Sequence, residues 1–185
     1  PVASPCREAA RRSPLAAYHH ALAEKGFVPD AAQQAAAEAL EASFAAVREA
    51  PAASVAGVYL WGPVGRGQTR LMDAFHRGLA VPARRQHFHH FMRWVHRRLF
   101  QLGGTPDPLL ALARELGDEV RVLCLDELFV GDIADAMLLG GLLTALFEQG
   151  VVLVCTSNQA PRQLYADGFN RERFLPAIDA IERHM

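Results

Sequence analysis

Short apolar runs alternate along this chain with stretches in which apolar residues recur every three or four positions. Runs of the first kind read as strands buried on both faces, and stretches of the second kind as amphipathic helices. Residues 1–13 are polar, Arg-rich and expected to be loose. A helix is predicted over Pro14–Glu24, ended by Gly26 and Pro29. Another starts at Asp30 with Gln33 as capping-box partner, and Leu40, Phe44 and Val47 give it a buried face. After Pro51 the order becomes strand Val58–Trp61, helix Gln68–Leu79, strand Arg85–His89 and helix Phe91–Leu102. A loop at Gly103–Pro108 and a helix over Leu109–Leu116 follow. Next come strand Val120–Leu125, helix Ile133–Gln149 and strand Val151–Thr156. Strands alternating with helices predict an α/β fold, a parallel sheet flanked by helices. The expected division is an N-terminal helical segment over 1–50 and a core over 51–185.

The first strand runs into a glycine-rich loop and then a helix, GVYLWGPVGRGQTRLMDAF. The loop fits G-x-x-x-x-G-K-[ST] at every fixed position but one. Gly62 and Gly67 hold the glycine positions and Thr69 the hydroxyl, while Gln68 stands where lysine belongs. Glycines let backbone N–H groups converge on phosphates, and the following helix adds partial positive charge. Thr69 would ligate Mg²⁺. Arg70 follows on the helix, and one residue of helical rotation turns it about a quarter-turn from the phosphates.

At 185 residues, 51% hydrophobic and 21% charged, the chain suits one compact domain. A net charge of −1 points to neither nucleic acid nor a membrane surface. Its 19 Lys and Arg include one lysine, Lys25, so no nearby lysine replaces the missing one. Cys6, Cys124 and Cys155 form no C-x-x-C pair, and reduced core thiols in a cytoplasmic protein are expected. No apolar run reaches membrane-spanning length, and no secretory signal is visible. The chain opens on Pro1 rather than methionine, which suggests further residues upstream.

The third strand ends in Asp126-Glu127, about 60 residues beyond the glycine loop. Asp126 could hold Mg²⁺ through water and Glu127 could polarise an attacking water. Without the loop, the two acids would read as a solvated strand end. The fourth strand ends in Thr156-Ser157-Asn158, where a polar group would lie near a γ-phosphate, or simply form a turn. Arg84–Arg98 holds five arginines, four histidines and no acid. His87, His89 and His90 lack an acidic or cysteine co-ligand nearby, and a solvated or partner-facing surface is favoured over metal or nucleic acid. Arg171 and Arg173 fit either surface charges opening a helix or an arginine finger reaching a neighbouring subunit.

Taken together, these motifs resemble the AAA+ ATPases of the ZapE cell-division type and their mitochondrial relatives. YLWGPVGRGQTRLMDAF, HFHHFMRWVH, RVLCLDELFVGDIADAMLL, GVVLVCTSNQAPRQLYADG and RERFLPAI carry the resemblance. It implies a P-loop NTPase of the AAA+ kind with strand order 5-1-4-3-2, binding ATP and Mg²⁺ and working as a homo-oligomer. A role beside the tubulin-like division-ring protein is implied for bacterial members. By position, Gly62, Pro63, Val64, Gly65, Arg66, Gly67, Gln68 and Thr69 look like Walker A, with Arg70 adjoining. Asp126 and Glu127 look like Walker B, Asn158 like sensor 1, and Arg171 and Arg173 like finger candidates. The family reads GRGKT where this chain has Gln68, and it continues beyond Met185 into a fifth strand and helical lid. A partial core is therefore expected, with its first strand left at the sheet edge. Two functions stay open: an ATP hydrolase weakened by Gln68, or a non-catalytic nucleotide-binding or oligomeric module.

Overall fold

The computed structural model describes residues 12–24, 26, 28–50, 55–63 and 67–185. Cys6, Lys25, most of the predicted loose start, and Val64, Gly65 and Arg66 lie outside the described residues.

Four parallel strands form one sheet in the order β1-β4-β3-β2, where β1 is Val58–Trp61, β2 Ala83–His87, β3 Val122–Asp126 and β4 Val152–Ser157. That arrangement is the 1-4-3-2 portion of the expected order. Register runs Val58 opposite Val154, Val122 opposite Val152, and Ala83 opposite Val122. The central strand β4 is buried at all six positions, and β3 at all but Asp126. Alternate residues of these strands feed two separate cores. Val122, Cys124, Val152 and Val154 face α1 (Pro14–Leu22), α2 (Ala31–Glu49) and α3 (Gln68–Gly78). Leu123, Leu125, Leu153 and Cys155 face α4 (Phe88–Gln101), α5 (Pro108–Glu119), α6 (Ile133–Glu148) and α7 (Leu175–His184). The helix after β1 thus covers one face, and those after β2 and β3 cover the other. This reversal opens a crevice at the carboxyl ends of the strands.

The helix ends explain where the boundaries fall. Asp30, Asp107 and Asp132 cap α2, α5 and α6, each carboxylate accepting a first-turn backbone N–H. Asp30 takes the Ala32 N–H, while the Gln33 amide lies instead beside Gly67. The second strand has the predicted length of five residues but lies two positions earlier, because His87 caps α4: its Nδ1 accepts the His89 N–H at 3.1 Å. His89 is therefore helical and does not share a strand face with His87. Helix α7 was not foreseen in its full extent. Arg171–Arg173 form a single 3-10 turn ahead of it instead of opening it. The Gly57 N–H donates to the His184 carbonyl at 2.8 Å, joining α7 to the start of β1. Among the described residues no helix is long and apolar enough to cross a membrane.

Burial pushes the Cys124 thiol up to about 12 from 9.0 and Cys155 well above that ordinary value. It also raises the Tyr59 phenol to about 12. All three groups stay neutral in the folded state and ionise sooner in the unfolded chain. Their contribution to stability is complete below the unfolded values and is lost as pH rises toward 12. The urea midpoint should fall between pH ~8 and pH ~10.5, with a smaller fall in Cys124→Ala. By peptide mapping at pH ~8, Cys124 and Cys155 should resist iodoacetamide until urea unfolds the chain.

Candidate nucleotide-binding site

At the carboxyl edge of the sheet lies a cavity of 760 Å³. Gly62, Pro63, Gly67, Gln68, Thr69 and Arg70 line one side, and Glu127, Ser157 and Asn158 the other. Gly67 caps α3 with φ 78° and ψ 10°, a left-handed conformation that favours glycine, and so turns the loop into the helix. Gln68 folds its amide back against Gly62, 3.2 Å from where a Cβ would stand there. Arg70 borders the cavity, contrary to the quarter-turn expectation, because helical side chains lean toward the N-terminus of their helix.

The acidic pair splits by direction. Glu127 has φ 57°, a conformation that costs a non-glycine residue roughly 1 kcal/mol or more. Hydrogen bonds from β4 hold it there. The Glu127 N–H donates to Thr156 Oγ1 at 3.0 Å, and the Leu128 N–H to the Thr156 carbonyl at 2.8 Å. Ser157 Oγ donates to the Leu128 carbonyl at 2.7 Å. The Glu127 carboxylate consequently stands in the cavity wall.

Asp126 does not line the cavity. Arg85 Nε and Nη2 grip its two oxygens at 2.7 and 3.2 Å, and Arg85 Nη1 reaches Asp73 of α3 at 2.9 Å. Burial works against the guanidinium's charge, but the hydrogen bonds and charges of Asp126 and Asp73 outweigh it and hold Arg85 above its ordinary value.

His87 is a site residue that sequence reasoning missed. Its Nδ1 accepts the cap N–H, so the neutral ring carries its proton on Nε2. That Nε2–H donates to Glu127 Oε2 at 2.9 Å. An acid thus does lie beside the histidines, brought 40 residues along the chain by β3. The usable signal was Phe88, Phe91, Met92 and Val95 at helical spacing, which starts α4 directly after His87.

Much of the basic segment is compensated within the fold. Besides Arg85 and His87, Arg98 pairs with Glu115, His96 with Asp135, and Arg84 sits 4.4 Å over the Trp94 ring. Arg171 Nη2 donates to the Arg162 carbonyl at 2.6 Å, and its Nε is buried without a partner among the described residues. Arg173 is exposed. Neither arginine lines the cavity of its own chain.

A parallel sheet with a glycine loop, an acidic strand end and a polar strand end around one crevice defines the P-loop NTPase class, in its AAA+ form. Solved structures agree on the fold. The chain matches DnaI with TM-score 0.64 at 21% identity, covering 96% of this chain and 87% of that one. It matches DnaA bound to AMPPCP and single-stranded DNA with TM-score 0.61 at 17% identity, covering 87% and 47%. The model of the AFG1-like ATPase family matches residues 12–185, and the chain belongs to that family. Cell division protein ZapE of Escherichia coli K12 is 55% identical over 131 residues, 70% of this chain and 35% of ZapE. The chain spans about a third of the length of the curated relatives it matches.

Two outcomes are expected from this geometry. Arg85→Met should cost about 2 kcal/mol in urea unfolding, because two partly buried carboxylates lose their shared partner. Arg85→Lys should recover less than half of that, since an ammonium cannot fork across Asp126. Fluorescence anisotropy with labelled oligonucleotides should show no binding at low salt, because so few bases of the Arg84–Arg98 segment remain for phosphates.

Proposed function

We propose that this chain is the nucleotide-binding core of an ATP-hydrolysing AAA+ protein. The observation that carries this reading is convergence: loop residues, Glu127 and Asn158, from the ends of three strands, line one cavity. Backbone N–H groups of the loop and the first turn of α3 bind the phosphates. Thr69 and Asp126 are the oxygen donors suited to Mg²⁺, a hard cation. Thr69 borders the cavity, whereas Asp126 stands outside its lining and would reach the ion only through water, with a lone pair left on each oxygen beyond its bond to Arg85. When bound, magnesium supplies positive charge to the phosphate oxygens.

Glu127 orients the water that attacks the γ-phosphorus. The bond to the β-phosphate oxygen breaks, and ADP and phosphate leave. Asn158 donates its amide toward the γ-phosphate. Glu127 is also the acceptor of the His87 N–H, so His87 sets where the carboxylate rests. Arg173, exposed on its turn, is the better finger for a neighbouring subunit, since Arg171 is bound to its own chain. Activity then needs a homo-oligomer. The likeness to ZapE, which is named a cell division protein, supports a division role for this chain, placed in the cytoplasm beside the division-ring protein.

A second reading, a module that binds nucleotide without turning it over, is favoured by Gln68 alone. Lysine would bring a full charge, worth roughly 4 kcal/mol at ~4 Å in an effective dielectric of about 20. An amide brings only a dipole, and hydrolysis loses more than binding because charge shifts in the transition state. Titration of a labelled ATP analogue with Mg²⁺ should give weak, saturable binding; none at all would overturn the nucleotide reading. Gln68→Lys, in a chain extended to the relatives' full length, should raise turnover at least ~100-fold. Equal rates would mean that another cation stabilises the transition state, and not only the bound nucleotide, as well as the lysine does. Mixing an Arg173→Ala chain with a Glu127→Gln chain should restore part of the turnover if the finger acts in trans.

A further inference from the structure

We propose that Arg70 is the cation that contacts nucleotide phosphate in this chain, where Gln68 has replaced the lysine, and that Glu24 holds it in reserve. This rests on the nucleotide-site reading above. Among the described residues lining the 760 Å³ cavity, Arg70 is the one lysine or arginine. It also borders a second cleft of 320 Å³ between α1, α2 and α3, and Gly67 is the other residue common to both. Arg70 therefore stands on the seam, in the first turn of a helix whose N-terminus faces the phosphate loop. Its side chain leans back toward that loop.

On the cleft side Arg70 Nη2 lies 3.7 Å from Glu24, with the two side chains 64% and 54% exposed. An exposed pair at that distance is weak and is readily exchanged for a stronger acceptor. A phosphate offers several charged oxygens to the planar guanidinium, a better match than one carboxylate oxygen at the edge of contact range. Two further cations among the described residues near the crevice are held elsewhere. Arg85 is held between Asp73 and Asp126, and the His87 ring is neutral when it caps α4. The nucleotide thus draws Arg70 from Glu24 across the seam to the phosphates, and this coupling ties the turn that follows α1 to the occupancy of the site.

The test measures affinity for a labelled ATP analogue with Mg²⁺, which does not depend on turnover. Arg70→Gln should weaken binding about tenfold, and Arg70→Lys by less. Glu24→Gln should tighten it about threefold, because the competing carboxylate is gone. In Arg70→Gln the second change, Glu24→Gln, should alter affinity by less than about twofold. Adding Gln68→Lys to Arg70→Gln should restore binding to within about threefold of the starting chain. Urea midpoints of the variants should agree with that of the starting chain, as expected for an exposed pair. Unchanged affinity in Arg70→Gln would overturn the proposal. So would equal weakening by Arg70→Gln and Glu24→Gln, which would make the pair a strut between helices. No binding by the unaltered chain would instead defeat the nucleotide reading itself.

Discussion

The carboxyl end of β4 is the constraint on which the site depends. Thr156 and Ser157 are buried, and both hydroxyls are hydrogen-bonded to neighbouring backbone. Their hydrogen bonds to Glu127 and Leu128 hold β3 in a turn that its own residues would not choose. The Ser157 carbonyl also accepts the Gly62 N–H at 3.2 Å, which binds the mouth of the phosphate loop to the same strand. One dipeptide therefore sets the relative positions of the loop after β1, the acid after β3 and Asn158. Being buried, these bonds face little competition from water, so the geometry they impose is stiff.

On the β2 side the same stiffness comes from charge. Arg85 joins a strand, the phosphate-loop helix and the end of β3 through two carboxylates, and each of its bonds would leave an acid exposed to loss if broken. His87 does two local tasks at once, closing the start of α4 and donating to Glu127. The first task fixes the tautomer needed for the second. Protonating Nδ1 would spoil the cap, so the helix end and the orientation of the carboxylate share one proton position.

Much of this architecture was legible because it follows from burial. Val122–Leu125 and Val152–Cys155 are apolar on both faces, and only a strand covered on both sides needs that. Glycine, threonine and paired acids at characteristic spacing marked the cavity for an equally physical reason. The misreadings have a common cause: side chains acting at a distance or in unusual roles. Alternation in His87-Phe88-His89 looked like a strand, but an imidazole nitrogen served as a helix cap. Thr156 and Ser157 read only as a polar strand end, near a γ-phosphate or in a turn, since their partners lie 29 residues away. Arg85 looked like part of a basic surface because Asp126 is 41 residues distant. Arg70 was misplaced by considering rotation about the helix axis without the tilt along it.

Among the described residues, nothing in the scaffold depends on the residue at position 68. Its amide rests against Gly62, and the hydrogen bonds that join the described strand ends around the crevice belong to other residues. The fold tolerates glutamine there at little cost, which is why membership of an ATPase family and possession of the fold do not fix the rate of turnover. Shape and charge are separate inheritances in this site. Shape comes from the buried strand ends and is intact. The charge that must meet the phosphates comes from one or two side chains at the rim, where a single substitution removes it and a neighbouring arginine can supply it again.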